Sequence, residues 1–187
     1  MATVCYLDMD GVICDFSGGA LRAHGLNATV ADLTEFGWPA QYGFENWRDE
    51  ESEFWRPFNR SFWANLEWTP DGPELIAALE EVFGENIALL TAPSENDGCY
   101  DGKKDWVCRH LPKYRKRLFT GVAKSLAAAP CKLLVDDYEK NIDMFAGAKG
   151  KTVLIPRPWN RRRAETCSQG NCDVEKLADE IRKVVAA

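Results

Sequence analysis

The chain has only two histidines, His24 and His110, in 187 residues. That scarcity leaves Ser-His-Asp and Cys-His hydrolase chemistry with little support, and neither histidine has cysteines beside it at zinc spacing. Seven cysteines are present, an odd number, and no two form a Cys-x-x-Cys pair. Cys5 and Cys131 lie in or beside apolar runs, where cysteine behaves as a small hydrophobe. Cys167 and Cys172 leave two readings, half a metal site or local disulfide against two free thiols on a loop in a reducing compartment, and the thiols are favoured. An excess of basic charge is missing too: the formal net charge is -6, which argues against nonspecific binding to nucleic acid or anionic membrane. No apolar run reaches transmembrane length, and the N-terminus lacks the basic-then-apolar pattern of a signal peptide, so a cytoplasmic protein is expected. Internal repeats and low-complexity segments are likewise absent.

What stands out is Asp8-Met9-Asp10-Gly11-Val12, directly after the apolar run Val4-Cys5-Tyr6-Leu7. A short apolar run of this kind reads as a buried strand. Two carboxylates at i and i+2 beyond its C-terminal end leave the sheet on the side where open α/β sheets bind ligands. Gly11 lets the chain turn sharply or approach a ligand closely. Crowded carboxylates raise one another's pKa, and a cation removes that cost, so a metal site is one reading and an acidic surface turn the other. Two further apolar runs end in polar residues: Ile87-Ala88-Leu89-Leu90 before Thr91, and Lys132-Leu133-Leu134-Val135 before Asp136-Asp137. Lys124 follows the short apolar stretch Leu118-Phe119. Carboxylates, a hydroxyl and an ammonium at successive strand ends can hold a hard cation and phosphate oxygens.

The remaining pattern alternates helix and strand. Helices are expected over Ile13–His24, Glu74–Phe83, Lys103–Leu111 and Tyr138–Lys149, a strand over Thr152–Ile155, and a last helix capped by Asp173 and running to Val185. Strands alternating with helices predict an α/β fold with a parallel sheet and helices on both faces. Thr69-Pro70-Asp71-Gly72-Pro73 is dense in turn formers and marks a return to the core. The expected organisation is therefore a core of residues 1–15 and 70–187 with a small helical cap, residues 16–69, inserted after the first strand.

Between Phe36 and Trp68 lie more than half of the chain's aromatic residues. A small cap with few aliphatics needs aromatics for its own core, and that accounts for most of them taken singly. As a cluster beside a phosphate site they suit a nucleobase, because aromatic faces stack on bases. Phe16 could line the same slot. The run Arg161-Arg162-Arg163 reads as a solvated charge cluster, with a phosphate contact near the entrance as the alternative.

The ordered set Asp8/Asp10, Thr91, Lys124 and Asp136/Asp137 resembles the four motifs of the haloacid dehalogenase (HAD) superfamily. A narrower resemblance, to its 5'(3')-deoxyribonucleotidase family, runs from about Thr3 to Pro158. It is carried by Asp8 through Val12 with Asp15-Phe16 and Gly18-Gly19, by Gln41-Tyr42-Gly43, Phe62-Trp63 and Leu66-Glu67, and by Thr91-Ala92-Pro93, Cys99-Tyr100, Lys103, Trp106-Val107, Lys124 and Leu133 through Asp137. Ala92 stands where that family commonly has serine, and Tyr138 where a basic residue often follows the Asp pair.

The resemblance implies a Rossmann-like core, Mg2+, and hydrolysis of (deoxy)nucleoside monophosphates through an aspartyl-phosphate. Asp8 would be the nucleophile and Asp10 the acid and base. Magnesium would be held by Asp8, the backbone carbonyl of Asp10 and Asp136, with Asp137 acting behind them on the ligands or on metal-bound water. Thr91, the Ala92 N–H and Lys124 would neutralise phosphate oxygens, with Lys103 a further cationic contact. Phe16, Phe36, Trp38, Phe62 and Trp63 would meet the substrate, with uracil or thymine derivatives preferred. The expected partner is a small-molecule nucleotide, with no nucleic acid and no membrane, and a homodimer is allowed. The alternatives are a HAD phosphatase acting on a sugar phosphate or a nucleic-acid 3'-phosphate, or a catalytically silent nucleotide-binding module.

Overall fold

Five short strands, β1 (Val4–Leu7), β2 (Ile87–Thr91), β3 (Leu118–Thr120), β4 (Lys132–Asp136) and β5 (Lys151–Leu154), form one parallel sheet in the order β3-β2-β1-β4-β5. This computed structural model describes residues 4–121, 123–163 and 170–186. The Cys167–Cys172 pair and Val122, in the loop before Lys124, thus fall wholly or partly outside the described residues. Parallel strands need cover on both faces, and alternation along them supplies two apolar surfaces. Cys5, Leu7, Leu133, Val135 and Val153 face the main core with Leu75 and Leu79 of α3 (Gly72–Phe83) and Leu177 and Ile181 of α6 (Val174–Ala186). Leu90 and Leu134 face the other way onto Phe145 of α5 (Glu139–Gly147). The parallel α/β sheet with helices on both faces is therefore present. Among the described residues no helix is long and apolar enough to cross a membrane.

Helix boundaries follow local chemistry. The helix expected from Ile13 begins later, as α1 (Phe16–Ala23), because Asp15 caps it by accepting the Gly18 N–H at 2.9 Å. Residues 11–14 are instead a turn, with Ile13 and Cys14 donating to the Met9 carbonyl. α3 starts at Gly72 with Pro73 in its first turn. α4 (Cys99–His110) begins four residues before the expected Lys103. Asp173 accepts the Lys176 N–H at 3.1 Å at the start of α6.

The insertion is less helical than its expected label. Apart from α1 and the five-residue α2 (Arg60–Ala64) it has only two short 3-10 turns, Val30–Asp32 and Trp38–Tyr42. Gly37, Pro39, Gly43 and Pro57 interrupt it, and its aromatics follow no helical period. Ring packing holds it instead. Phe54 and Phe58 are both 1% exposed with centroids 5.1 Å apart. Burying each such ring contributes roughly 1.5–3 kcal/mol. α2 lies directly on α4: a Cβ at Gly102 would sit 2.5 Å from the Trp63 Cβ and 2.6 Å from the Arg60 carbonyl oxygen, so only glycine permits this approach. That contact brings Trp63 and Lys103 together beside the C-terminal end of β2.

Candidate active site

The three central strands, β2, β1 and β4, end side by side, and Thr91, Asp8 and Asp136 occupy those ends. Pairing of Leu7 with Val135 sets the register, and the Asp8 N–H donates to the Val135 carbonyl at 3.0 Å. Carboxylate oxygens of Asp8, Asp136 and Asp137 lie within 4.8 Å of one another, all three residues buried. Lys124, itself 3% exposed, lies in the turn after β3 and reaches both Asp8 and Asp136 at 2.7 Å. Asp136 also accepts the Tyr138 N–H at 2.8 Å and the Asn141 amide at 3.1 Å.

One ammonium does not balance this group. Burial, then the Asp8 charge, pushes the Asp136 carboxyl up to about 6 despite Lys124. Burial, then Asp136 and Asp8, raises Asp137 well above the usual carboxylate range. Burial alone would lower the Lys124 ammonium, but Asp8 and Asp136 outweigh it and hold it above its ordinary value. Three buried carboxylates, two of them resisting ionisation, form an oxygen donor set that suits a hard divalent cation.

Asp10 is set apart from that group. Its carboxylate pairs with the buried Lys103 ammonium through one oxygen, while the other, Oδ1, is buried without a partner. Burial holds the Asp10 carboxyl above its ordinary value against the pull of Lys103. Lys103 in turn donates to the Thr91 hydroxyl at 3.0 Å and stands 4.8 Å over the Trp63 ring. The turn that follows Asp10 needs Gly11 twice over: its φ is +71°, and an added Cβ would lie 2.3 Å from the Asp137 carboxylate.

A cavity of about 460 Å³ opens onto these groups. Asp8, Asp10, Asp137, Ala92 and Lys124 line its floor, and Phe16, Phe36, Trp38, Trp47, Trp55 and Trp63 are among its walls. Small-molecule sites span about 300–1,000 Å³ and are mostly apolar with a few polar groups, and this cavity has that make-up. Thr91, Lys103, Asp136 and Phe62 do not border it. Thr91 and Lys103 lie behind Asp10, Asp136 behind Lys124, and Phe62 packs on Phe58 at 4.4 Å. Phe16 stacks on Trp63 at 5.2 Å and on Trp55 at 6.1 Å, so these rings lie against each other. Phe36 stacks on Tyr138 at 3.8 Å, joining insertion to core where the basic residue is missing.

The family model described as "5' nucleotidase, deoxy (Pyrimidine), cytosolic type C protein" matches residues 2–183. The chain belongs to this family. It is a nucleotidase, a phosphoric monoester hydrolase, and its fold is that of the HAD hydrolases. A HAD-family hydrolase from Deinococcus radiodurans R1, solved with phosphate and sodium, is similar at 12% identity and a TM-score of 0.59, over 98% of this chain and 96% of that one. The HAD-hydrolase YfnB from Bacillus subtilis, solved bound to magnesium, is similar at 13% identity and a TM-score of 0.57, over 100% of this chain and 99% of that one. No curated protein matches the chain at a significant level.

Sequence reasoning missed the supports of the nucleotidase site. Arg157 is 1% exposed and grips Asp71 through two bonds of 2.6 and 2.9 Å. The same guanidinium donates to the Gly11 carbonyl at 2.5 Å and the Val12 carbonyl at 3.2 Å. It thereby ties the turn around Asp10 to the segment where the chain re-enters the core. Asp71 immediately precedes α3, yet its carboxylate leaves the helix end uncapped and meets Arg157 and the Cys172 N–H. Despite burial, Arg157 holds the Asp71 carboxyl below the usual range. Trp159 donates its indole N–H to the Asp137 carboxylate at 2.8 Å, and Asn160 donates to the Asp137 carbonyl at 2.6 Å. The available signal was Pro156-Arg157-Pro158-Trp159-Asn160 just beyond β5, another strand end on the same side of the sheet.

Proposed function

We propose that the protein hydrolyses deoxynucleoside monophosphates to nucleoside and phosphate, through a phosphoryl group carried on Asp8, with Mg2+ as its cation. The observation that carries this reading is one cavity whose floor includes Asp8, Asp10 and Lys124 and whose walls include aromatic rings. A phosphate at the floor leaves its organic group against those rings, and flat apolar surfaces suit a base. The YfnB structure, bound to magnesium, and the Deinococcus hydrolase, bound to phosphate, support cation and phosphate at such a site by analogy of fold.

Asp8, Asp136 and Asp137, with the backbone carbonyl of Asp10, would hold magnesium. When bound, the cation supplies charge neutralisation at the phosphate oxygens. Asp8 attacks phosphorus, and the ester bond to the nucleoside oxygen breaks. Asp10, its carboxyl raised by burial, gives that oxygen a proton; it then takes a proton from the water that cleaves the phosphoaspartate. Lys124 and the Ala92 N–H offset charge on the phosphoryl oxygens, where most stabilisation in phosphoryl transfer lies. Thr91 accepts from Lys103, which leaves its own hydroxyl proton free to donate. Lys103 keeps Asp10, the proton carrier, in position.

In this reading residues 1–15 and 70–187 are the catalytic core, 16–69 are the cap that supplies the apolar wall, and the reaction runs in the cytoplasm, in keeping with the family's description as cytosolic. Phosphate release from a panel of phosphomonoesters, with magnesium and with EDTA, tests it. Deoxynucleoside monophosphates bearing uracil or thymine are turned over best, only with magnesium. Cleavage of sugar phosphates by a protein that ignores every nucleotide contradicts the reading.

A further inference from the structure

A second cavity, of about 400 Å³, adjoins the first, and Phe36, Tyr138, Asp137, Lys140, Met144 and Trp159 border both. Unlike its neighbour it is walled by charge. Arg48 from the insertion, Lys140 from α5 and Arg161 beyond β5 converge on it. Among the described residues none of these three cations forms an ion pair. Arg48 rests only on the Trp47 face, 4.5 Å from the ring centre.

Four carboxylates, Glu35, Asp137, Glu139 and Asp143, also line this cavity, and each already accepts a hydrogen bond, Asp143 from a charged partner. Asp143 takes both arms of Arg162 at 2.7 and 2.6 Å, and Glu139 accepts the Arg162 N–H at 2.8 Å. These bonds pin the arginine run against α5 and leave Arg161 next in line at the cavity. Glu35 accepts the Gln41 amide at 3.1 Å, and Asp137 is held by Trp159 at 2.8 Å.

We propose that this cavity binds a second phosphate of the substrate, so that the protein acts on nucleosides phosphorylated at two sugar positions. The proposal rests on the nucleotide reading above and extends it to a substrate class. One phosphoryl group lies over Asp8, and the other passes the Phe36–Tyr138 stack to meet Arg48, Lys140 and Arg161. Guanidinium forks suit phosphate oxygens geometrically as well as electrically. The reaction consumes one water: one phosphate ester is hydrolysed, and the products are inorganic phosphate and a nucleoside monophosphate that keeps the other group. The cations come from three separate segments of the chain, which is why the sequence alone left Arg161-Arg162-Arg163 as a charge cluster.

The test compares kcat/KM for a deoxynucleoside 3',5'-bisphosphate and for the matching monophosphate, in wild type and in the Arg48→Ala/Arg161→Ala double variant. Unchanged thermal unfolding of the variant confirms its fold, and a charge-reversed Arg161→Glu variant gives a second reading. The wild type prefers the bisphosphate by about tenfold, equivalent to about 1.4 kcal/mol, mostly through KM. The double variant loses the preference and Arg161→Glu inverts it. Equal use of both substrates, or a preference that survives the double variant, overturns the proposal. So does a noncompetitive effect of added inorganic phosphate on monophosphate turnover that the variant abolishes, since the cavity would then hold a free anion. Turnover of neither nucleotide, with nitrophenyl phosphate still cleaved, overturns the nucleotide reading and this one with it, whereas monophosphate turnover without a bisphosphate preference overturns this one alone.

Discussion

Replacing Asp71 with Asn removes the charge that faces Arg157 while keeping nearly the same shape. The guanidinium is 1% exposed, so no water replaces the two bonds of 2.6 and 2.9 Å that it loses in full strength. Its remaining partners, the Gly11, Val12, Pro156 and Gly170 carbonyls, carry no net charge. Breaking one side of a buried pair costs about 3–5 kcal/mol, because an uncompensated ion stays behind. For a chain of this size each kcal/mol moves the midpoint by about 2–4 °C; the expected drop in Tm is therefore about 6–20 °C, read by scanning calorimetry. Replacing both partners by apolar groups, Asp71→Leu with Arg157→Met, removes both charges and leaves only unpaired carbonyls and the Cys172 N–H. That double variant unfolds at a higher temperature than Asp71→Asn. A drop of less than about 2 °C for Asp71→Asn, or a double variant less stable than the single one, refutes the argument that this ion pair clamps the turn around Asp10.

Two further outcomes follow from the site. Asp10→Asn keeps the backbone carbonyl but cannot carry a proton, so turnover of a nucleotide falls by about 10²–10⁴; with nitrophenyl phosphate, whose leaving group needs little protonation, the loss is smaller, and equal losses contradict the acid/base role. Burial, then the Asp8 charge, raises the Asp136 carboxyl to about 6, so in the metal-free protein the stability held by its protonated form is present at low pH and is lost as pH rises through ~6. Magnesium requires the ionised form, so the gap in Tm between magnesium and EDTA widens from pH 5 to pH 7.5; a gap that stays constant contradicts Asp136 as a ligand.

The centre of the site was legible because three of its residues end apolar runs. Asp8, Thr91 and Asp136 follow short runs that read as buried strands, and a parallel sheet aligns such ends whatever the loops between them do. Lys124 was legible from its order in the chain. The supports were not. Arg157 acts on the carbonyls of residues 11 and 12, far away in sequence, and a backbone acceptor leaves no mark in a sequence. Asp71 lay in a turn cluster that its neighbours Pro70 and Gly72 already explained. The insertion was legible as aromatic but not in its geometry: ring packing has no period, so nothing distinguished Phe62, which supports Phe58, from Trp63, which lines the cavity. The stack of Phe36 on Tyr138 likewise joins segments that no local pattern connects.

Acid quench of the wild-type protein during turnover of a radiolabelled deoxynucleoside monophosphate, followed by measurement of label on the chain, tests the central claim most directly. The wild type carries substrate phosphate as an acid-stable, hydroxylamine-labile acyl phosphate. Asp8→Asn, still folded and still binding nucleotide, carries none and releases no phosphate. Label on the Asp8→Asn protein, or steady turnover by it, contradicts the assignment of Asp8 as the nucleophile.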